Sequence, residues 1–280
     1  MSESSPSFLT RHQFLIYRLF SLSGLVPVGA FLIVHLLTNA SVNAGPGVFQ
    51  SRVDMIHSLG ERLLPVVEWL FIFLPMLFHA VVGFMIIANG LPNVGSYPYV
   101  GNVRYTLQRA TGMIAFVFII GHILHLHWMG RPFGGGHFDP HAATSSAAVA
   151  IHPILATILY AIGVLCAVFH FANGLWTLGI TWGIWTSPAA MRRANVVSVV
   201  VGVALAAAGL SSIVRLREIG GDAAKLEQAR RIETIMDEER VRRERMLEGE
   251  PPARPAAPAV RRDTTGGGIR PASAGDQTGR

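Results

Sequence analysis

Five long stretches of this sequence contain no Asp, Glu, Lys or Arg: those between Arg18 and Arg52, Glu68 and Arg104, Arg109 and Arg131, Asp139 and Arg192, and Arg193 and Arg215. Each is longer than the roughly 20 residues a helix needs to cross about 30 Å of hydrocarbon. A membrane β-barrel would instead show alternating segments of about ten residues, and none is present. The composition agrees, with 51% of residues hydrophobic and 14% charged and a mean hydropathy of +0.42. The expected fold class is all-α, an integral membrane bundle of five transmembrane helices with a charged, partly disordered C-terminal tail.

Turn-forming residues set the expected limits of the spans. The first runs from about Phe20 to Ala40 and is broken by VNAGPG, after which a polar loop to about Arg62 has room for a short surface helix. The second runs from Val66 to Asn89 and the third from Ala110 to Met129, ended by NGLPNVGSYPY and GRPFGGG. The fourth starts at Pro153, a favourable first-turn residue, and continues to about Gly183. That is longer than one crossing requires, so it is tilted, extended into water, or broken at Asn173–Gly174. TSPAAMRR closes it, and the fifth span covers Asn195 to Val214.

Five spans put the two termini on opposite sides. Arg11, Arg18, Arg104, Arg109, Arg192 and Arg193 then share one side, which the excess of positive charge on cytoplasmic loops makes the cytoplasm. Arg215 and Arg217 point the other way. The expected location is the cell's inner membrane, with the N-terminus cytoplasmic. That N-terminus is polar and has no short apolar core followed by a cleavage site, so the first span should be retained. The formal charge of +6 sits at span ends and in a mixed-charge tail, which is membrane topology rather than a nucleic-acid surface. Cys166, the single cysteine, cannot form an intrachain disulfide.

From Gly221 to about Gly249 the chain is dense in Glu and Arg, the pattern of a solvated or surface-lying helix supported by i,i+4 pairs. Beyond Pro251, Pro, Ala, Gly and Arg dominate, a composition expected to be disordered. The expected organisation is a membrane domain over residues 1–217, a charged helical extension over 218–250 and a disordered tail over 251–280.

Four histidines lie deep in charge-free spans, one per span: His35, His79, His122 and His170. An ionisable residue inside a membrane must be offset by a partner, and neutral imidazole is the commonest metal ligand and a ready axial ligand of haem iron. Hydrogen bonding between helices is the plainer alternative. At about 1.5 Å of rise per residue, depth pairs His35 with His122 towards the outer side and His79 with His170 towards the inner side. Two bis-histidine haems stacked across the membrane would form an electron wire. FHAVVG (78–83) and FHFANG (169–174) each place Gly four residues after His, which suits close approach of the helix to a macrocycle or, equally, to another helix. Arg18, Ser21, Arg104, Gln108 and Arg109 stand at cytoplasmic span ends, where they could meet haem propionates or simply anchor the interface. A zinc site at His122, His125 and His127 is disfavoured, because His127 points roughly 140° from His122 on a helix. His125 and His127 are expected at the outer boundary beside Trp128, and His12, His57 and His152 in solvent or at an interface.

RLFSLSGLVPVGAFLIVHLLTN (18–39), EWLFIFLPMLFHAVVG (68–83), LQRATGMIAFVFIIGH (107–122) and FHFANGLWTLGITWGIWTSP (169–188) resemble the di-haem cytochrome b anchor of succinate:quinone oxidoreductases and fumarate reductases, of the single-subunit, five-helix type. The resemblance covers about residues 11 to 217. It implies His35, His79, His122 and His170 as axial ligands of two b-type haems, in the pairs that depth suggests. It also implies a flavoprotein partner with covalent FAD, an iron–sulfur partner on the cytoplasmic side, and quinone, most often menaquinone, reacting within the membrane. Glu68, at the outward end of the second span, becomes a candidate for the proton path to quinone. The alternatives are a haem b anchor of another quinone-linked dehydrogenase or hydrogenase, and a proton-coupled transporter.

Overall fold

The computed structural model describes residues 8–58, 60, 63–90, 94–128 and 136–249. Among these residues there is no strand. Five helical segments, Arg11–Ala44, Leu63–Ala88, Val100–His127, Ile154–Thr181 and Pro188–Gly221, are long and apolar enough to cross a membrane. Leu15, Val34, Leu77, Val117, Leu155 and Val200, from all five segments, expose their side chains. In a soluble protein such a surface would be a liability; here it is the surface that faces lipid.

The first segment is two helices, α1 (Phe8–Leu25) and α2 (Val28–Ala40). Pro27 separates them because it has no N–H to continue the ladder, yet Phe31 N–H still reaches the Pro27 carbonyl at 3.0 Å. Helix α3 (Pro46–His57) is the surface helix expected in the loop. The second segment consists of α4 (Leu63–Val67), a wide π-turn over Glu68–Phe73, and α5 (Leu74–Ala88). Pro75 explains the wide turn: its ring crowds the carbonyl four residues back and donates nothing to it.

Helix α6 (Val100–His122) begins ten residues earlier than its charge pattern suggested and ends in a second π-turn, Ile123–Trp128. Arg104 and Arg109 lie within the helix because their guanidiniums find partners on neighbouring helices, as described below. Between the third and fourth segments lies α7 (Ala143–Ile151), a helix outside the five expected spans. Helix α8 (Ile154–Thr181) runs unbroken through Asn173–Gly174. TSP, read as the end of the fourth span, also starts the fifth. Ser187 Oγ accepts Ala190 N–H at 3.2 Å and Pro188 opens α9 (Pro188–Gly221), which is longer than expected at both ends.

Helices α2, α8 and α9 meet closely at Gly209, where a Cβ would lie 2.6 Å from Val164 and 3.3 Å from Leu36. Arg217 donates to the His152 carbonyl and to Thr157 Oγ1 at 3.1 Å, and Arg215 pairs with Glu218 at 2.9 Å. Arg217 therefore ties the end of α9 to the start of α8, whereas Arg215 is paired within α9.

The chain divides into two compact units, residues 1–238 and 239–280. In the second, α10 (Ala223–Leu247) continues with an Arg240–Glu244 pair one turn apart. In the first, α10 is docked rather than solvated: Ala229 is fully buried and Glu233 is 2% exposed. The reason lies at the start of α7, whose N-cap position is Ala142, with no side chain able to accept a hydrogen bond. The free N–H groups of a helix start need acceptors. Gln50 Oε1 takes the N–H of Ala143 at 2.9 Å, and Glu233 Oε1 takes those of Thr144 and Ser145 at 2.6 and 3.0 Å. A carboxylate at this position also meets the positive end of the helix dipole.

Losing such a cap costs about 1–2 kcal/mol, or about tenfold in the undocked population. Glu233→Ala should therefore speed tryptic cleavage after Arg230 and Arg231 by about that factor in the detergent-solubilised protein. Glu233→Gln, which keeps one acceptor oxygen, should fall between. Cleavage of Glu233→Ala at the wild-type rate would show that docking does not depend on this carboxylate.

Candidate functional site

The four deep histidines come from four helices, His35 on α2, His79 on α5, His122 at the end of α6 and His170 on α8. They meet as two pairs. The rings of His79 and His170 have centroids 6.1 Å apart and planes at 86°. Those of His35 and His122 are 5.8 Å apart, with planes at 77°. Imidazole nitrogen binds a transition metal at about 2 Å, so two rings on opposite sides of one metal have centroids about 6 Å apart. Both pairs are spaced for a single ion between two rings.

The pair of His79 and His170 has the more explicit chemistry. His79 Nδ1–H donates to the Phe20 carbonyl at 3.0 Å and His170 Nδ1–H to the Gln108 carbonyl at 2.9 Å. A carbonyl can only accept, so each bond fixes the tautomer with the proton on Nδ1. Nε2 is left with its lone pair, the state a metal ligand requires. A glycine makes each bond possible. Gly24 and Gly112 lie one turn after Phe20 and Gln108, and a Cβ on them would sit 2.5 Å from His79 Cε1 and 2.7 Å from His170 Cε1. The notch left by the missing side chain admits the imidazole to the helix backbone.

The glycines of the repeated FHxxxG motif are less constrained. A Cβ on Gly83 would meet the Phe20 ring at 3.5 Å, and one on Gly174 would meet Gln108 Nε2 at 3.6 Å. Both are ordinary van der Waals distances, so each glycine faces the side chain of the residue whose carbonyl receives the histidine without being required by it. Phe20 also stacks on His79, with ring centroids 4.4 Å apart.

The other pair is tied differently. Asn39 Nδ2 donates to His35 Nε2 at 3.2 Å, and Phe31 stacks on the His35 ring at 5.4 Å. His122 Nδ1 is buried without a hydrogen-bond partner. An unpartnered ring nitrogen in an apolar interior is costly, and unlike His79 and His170 this ring has no acceptor to fix its tautomer. His122 follows Gln108 by fourteen residues on α6, so the two pairs stand about 20 Å apart along that helix.

The polar residues expected near propionates are engaged with protein. Arg18 donates to the Thr181 carbonyl at 2.5 Å and lies over the rings of Phe14 and Trp182. Ser21 Oγ accepts Trp182 Nε1–H at 3.3 Å. Gln108 donates to the His170 carbonyl at 3.1 Å and accepts from buried Asn173 at 2.7 Å. Asn173 in turn takes Arg104 Nε–H at 2.8 Å. Arg109 donates to the carbonyls of Gly90 and Ile86. These groups gather at the end of the bundle nearest His79 and His170. At the other end Glu68 lies 3.9 Å from His127, His125 shares a 2.9 Å hydrogen bond with Tyr160, and the His137 ring is 4.9 Å from that of His125. No group of three His, Cys, Asp or Glu side chains converges on a metal position among the described residues.

No family model matches the chain. The succinate dehydrogenase cytochrome b558 subunit of Bacillus subtilis (strain 168) is 36% identical over 201 residues, which span 72% of this chain and 96% of that protein. This chain belongs to the succinate dehydrogenase cytochrome b family. As a family member it is a multi-pass membrane protein. Reading the sequence missed the carbonyls of Phe20 and Gln108 and the notches at Gly24 and Gly112. The available signal was a glycine four residues after each acceptor, in FSLSG and QRATG, but it has meaning only once α1 is known to face α5 and α6 to face α8.

The pairing can be checked in a Cys166→Ser background. His79→Cys with His170→Cys, and His35→Cys with His122→Cys, should each be bridged by a short bis-thiol reagent, read as a mass shift of the intact chain. His79→Cys with His122→Cys should not. A bridge in the crossed combination alone would overturn the arrangement.

Proposed function

We propose that this chain is the membrane anchor and electron-transfer subunit of a succinate:quinone oxidoreductase, holding two b-type haems between an iron–sulfur subunit and membrane quinone. His79 and His170 would hold the haem nearer the cytoplasm, and His35 and His122 the outer one. The observation that carries this reading is the Nδ1–H bond of both inner histidines to backbone carbonyls, which leaves two Nε2 lone pairs in one place. When bound, haem supplies a reversible one-electron centre, and two of them stacked across the membrane supply an electron relay.

The chain's own residues bind, orient and insulate. The carbonyls of Phe20 and Gln108 fix the ring tautomers, and through them the ligands' basicity. The rings of Phe20, Phe31 and Phe118 lie beside His79, His35 and His122 and keep water away. Arg18, Ser21, Gln108 and Arg109 would serve as donors to propionates at the inner end, in exchange for their present protein partners. Glu68, beside His127, is the proposed proton exchanger for quinone, most often menaquinone in such di-haem anchors. A flavoprotein carrying FAD and an iron–sulfur protein would dock on the cytoplasmic face, with the N-terminus on that side of the inner membrane. Residues 1–217 would form the cytochrome domain, with 218–250 a helical extension of it and 251–280 a tail outside the described residues. The chain would carry no dicarboxylate chemistry itself.

The reduced-minus-oxidised visible spectrum tests this. The purified protein should show split b-type bands and copurify with succinate-oxidising flavoprotein. A spectrum without haem bands would sink the cytochrome reading and favour a proton-coupled transporter. Haem bands with a different soluble partner would point to another quinone-linked respiratory enzyme. His79→Ala, His170→Ala, Gly24→Val and Gly112→Val should each lose one haem. His35→Ala and His122→Ala should lose the other, and His125→Ala and His127→Ala should keep both. Two haems in His122→Ala would refute its role.

A further inference from the structure

At the end of the bundle nearest His79 and His170, the starts of α6 and α9 and the end of α8 enclose an open recess of about 400 Å³, lined by Arg104, Trp176, Met191, Arg192, Asn195 and Val196. Arg104 is its fixed cation. Its guanidinium lies 4.1 Å over the Trp176 ring and is held by Asn173 and Asn195, each at 2.8 Å. Those two bonds use two of the five guanidinium N–H groups, leaving three for a ligand. Arg192 supplies a second, exposed guanidinium. Two arginines on a tryptophan floor, with no carboxylate in the lining, make a site for an anion with several oxygens.

Depth and surroundings identify the anion. Trp176 donates to the Met191 carbonyl at 3.2 Å and Trp185 to the Trp176 carbonyl at 2.9 Å, so indole rings crowd this level. Trp is enriched where a membrane protein crosses the headgroup region. Below Arg192 on the same face of α9 run Val196, Val199, Val200 and Val203, which are 61%, 54%, 61% and 64% exposed. A phosphate between two guanidiniums with an aliphatic stripe beneath it has the dimensions of a diacyl lipid. The recess is not a second propionate site. It opens on the α9 side of α6 and α8, and the hydrogen-bonded side chains of Asn173 and Gln108 stand between Arg104 and His170. We propose that the recess binds the phosphate of an anionic phospholipid whose acyl chains lie on the valine stripe of α9. Basic pockets between transmembrane helices on the cytoplasmic side suit such headgroups. The site does not depend on haem, and neither does its test.

The intact complex, purified in detergent, is titrated with phosphatidylglycerol, phosphatidylcholine or inorganic phosphate and read by native mass spectrometry. Phosphatidylglycerol should bind at least tenfold more tightly than phosphatidylcholine, and Arg192→Gln should remove that preference while Arg192→Lys restores part of it. Equal phosphatidylglycerol binding by wild type and Arg192→Gln would overturn the proposal. So would full displacement of the lipid by an equal concentration of inorganic phosphate, which would make the recess a free-phosphate site. Binding seen only after the soluble subunits are removed would assign the recess to a protein interface and equally overturn it.

Discussion

An imidazole in hydrocarbon has two ring nitrogens and no water to satisfy either. Much of the middle of this bundle can be understood as the answer to that problem, posed four times. For His79 and His170 a helix backbone supplies half of the answer. The carbonyl of Phe20 or Gln108 takes the imidazole proton, sharing its oxygen with the Ser23 hydroxyl at 2.9 Å in the first case and the Thr111 hydroxyl at 3.4 Å in the second. Backbone carbonyls of a helix are normally shielded by the side chain one turn on, so the bond requires glycine there, and Gly24 and Gly112 provide it. The remaining nitrogen of each ring is then a lone pair, the state that a metal ligand requires.

This arrangement explains why the bundle is assembled from two similar clamps. In one, α5 leans on α1, with His79 in the notch at Gly24 and the Phe20 ring over Gly83. In the other, α8 leans on α6, with His170 in the notch at Gly112 and the Gln108 side chain over Gly174. Each clamp therefore contributes one axial candidate, and the two candidates face each other. The close approach rests on Gly24 and Gly112, since a Cβ at Gly83 or Gly174 would make only ordinary contacts. The pair of His35 and His122 has no matching notch among the described residues. His35 is held by an asparagine one turn along its own helix, and His122 keeps a buried nitrogen without a hydrogen-bond partner.

The two ends of the bundle solve a different problem, that of helix ends and charges at a boundary. At one end, arginines within α1 and α6 spend their N–H groups on carbonyls and asparagines of neighbouring helices, which is why α6 can begin before Arg104 and Arg109. At the other, Arg217 closes on the end of α8, and a glutamate from α10 caps the start of α7. A segment whose composition reads as solvated thereby becomes part of the packed structure, because a single buried carboxylate meets two N–H groups that have no local acceptor.

The number of spans, their order and the one histidine in each of four of them were legible in the sequence, because burying a charge in hydrocarbon costs enough to be written into composition over twenty residues at a time. The pairing of the histidines was legible too, since depth along a helix follows from counting residues. The span limits were less so: Arg104 and Arg109 looked like the border of a helix that contains them, and α7 carries no pattern that distinguishes it from loop. What only the tertiary structure decided was which helix faces which. That choice makes Gly24 and Gly112 notches, turns the carbonyls of Phe20 and Gln108 into acceptors that orient an imidazole, and gives Glu233 a helix to cap. A carbonyl is the same in every residue, so the sequence has no letter for the one that will be used.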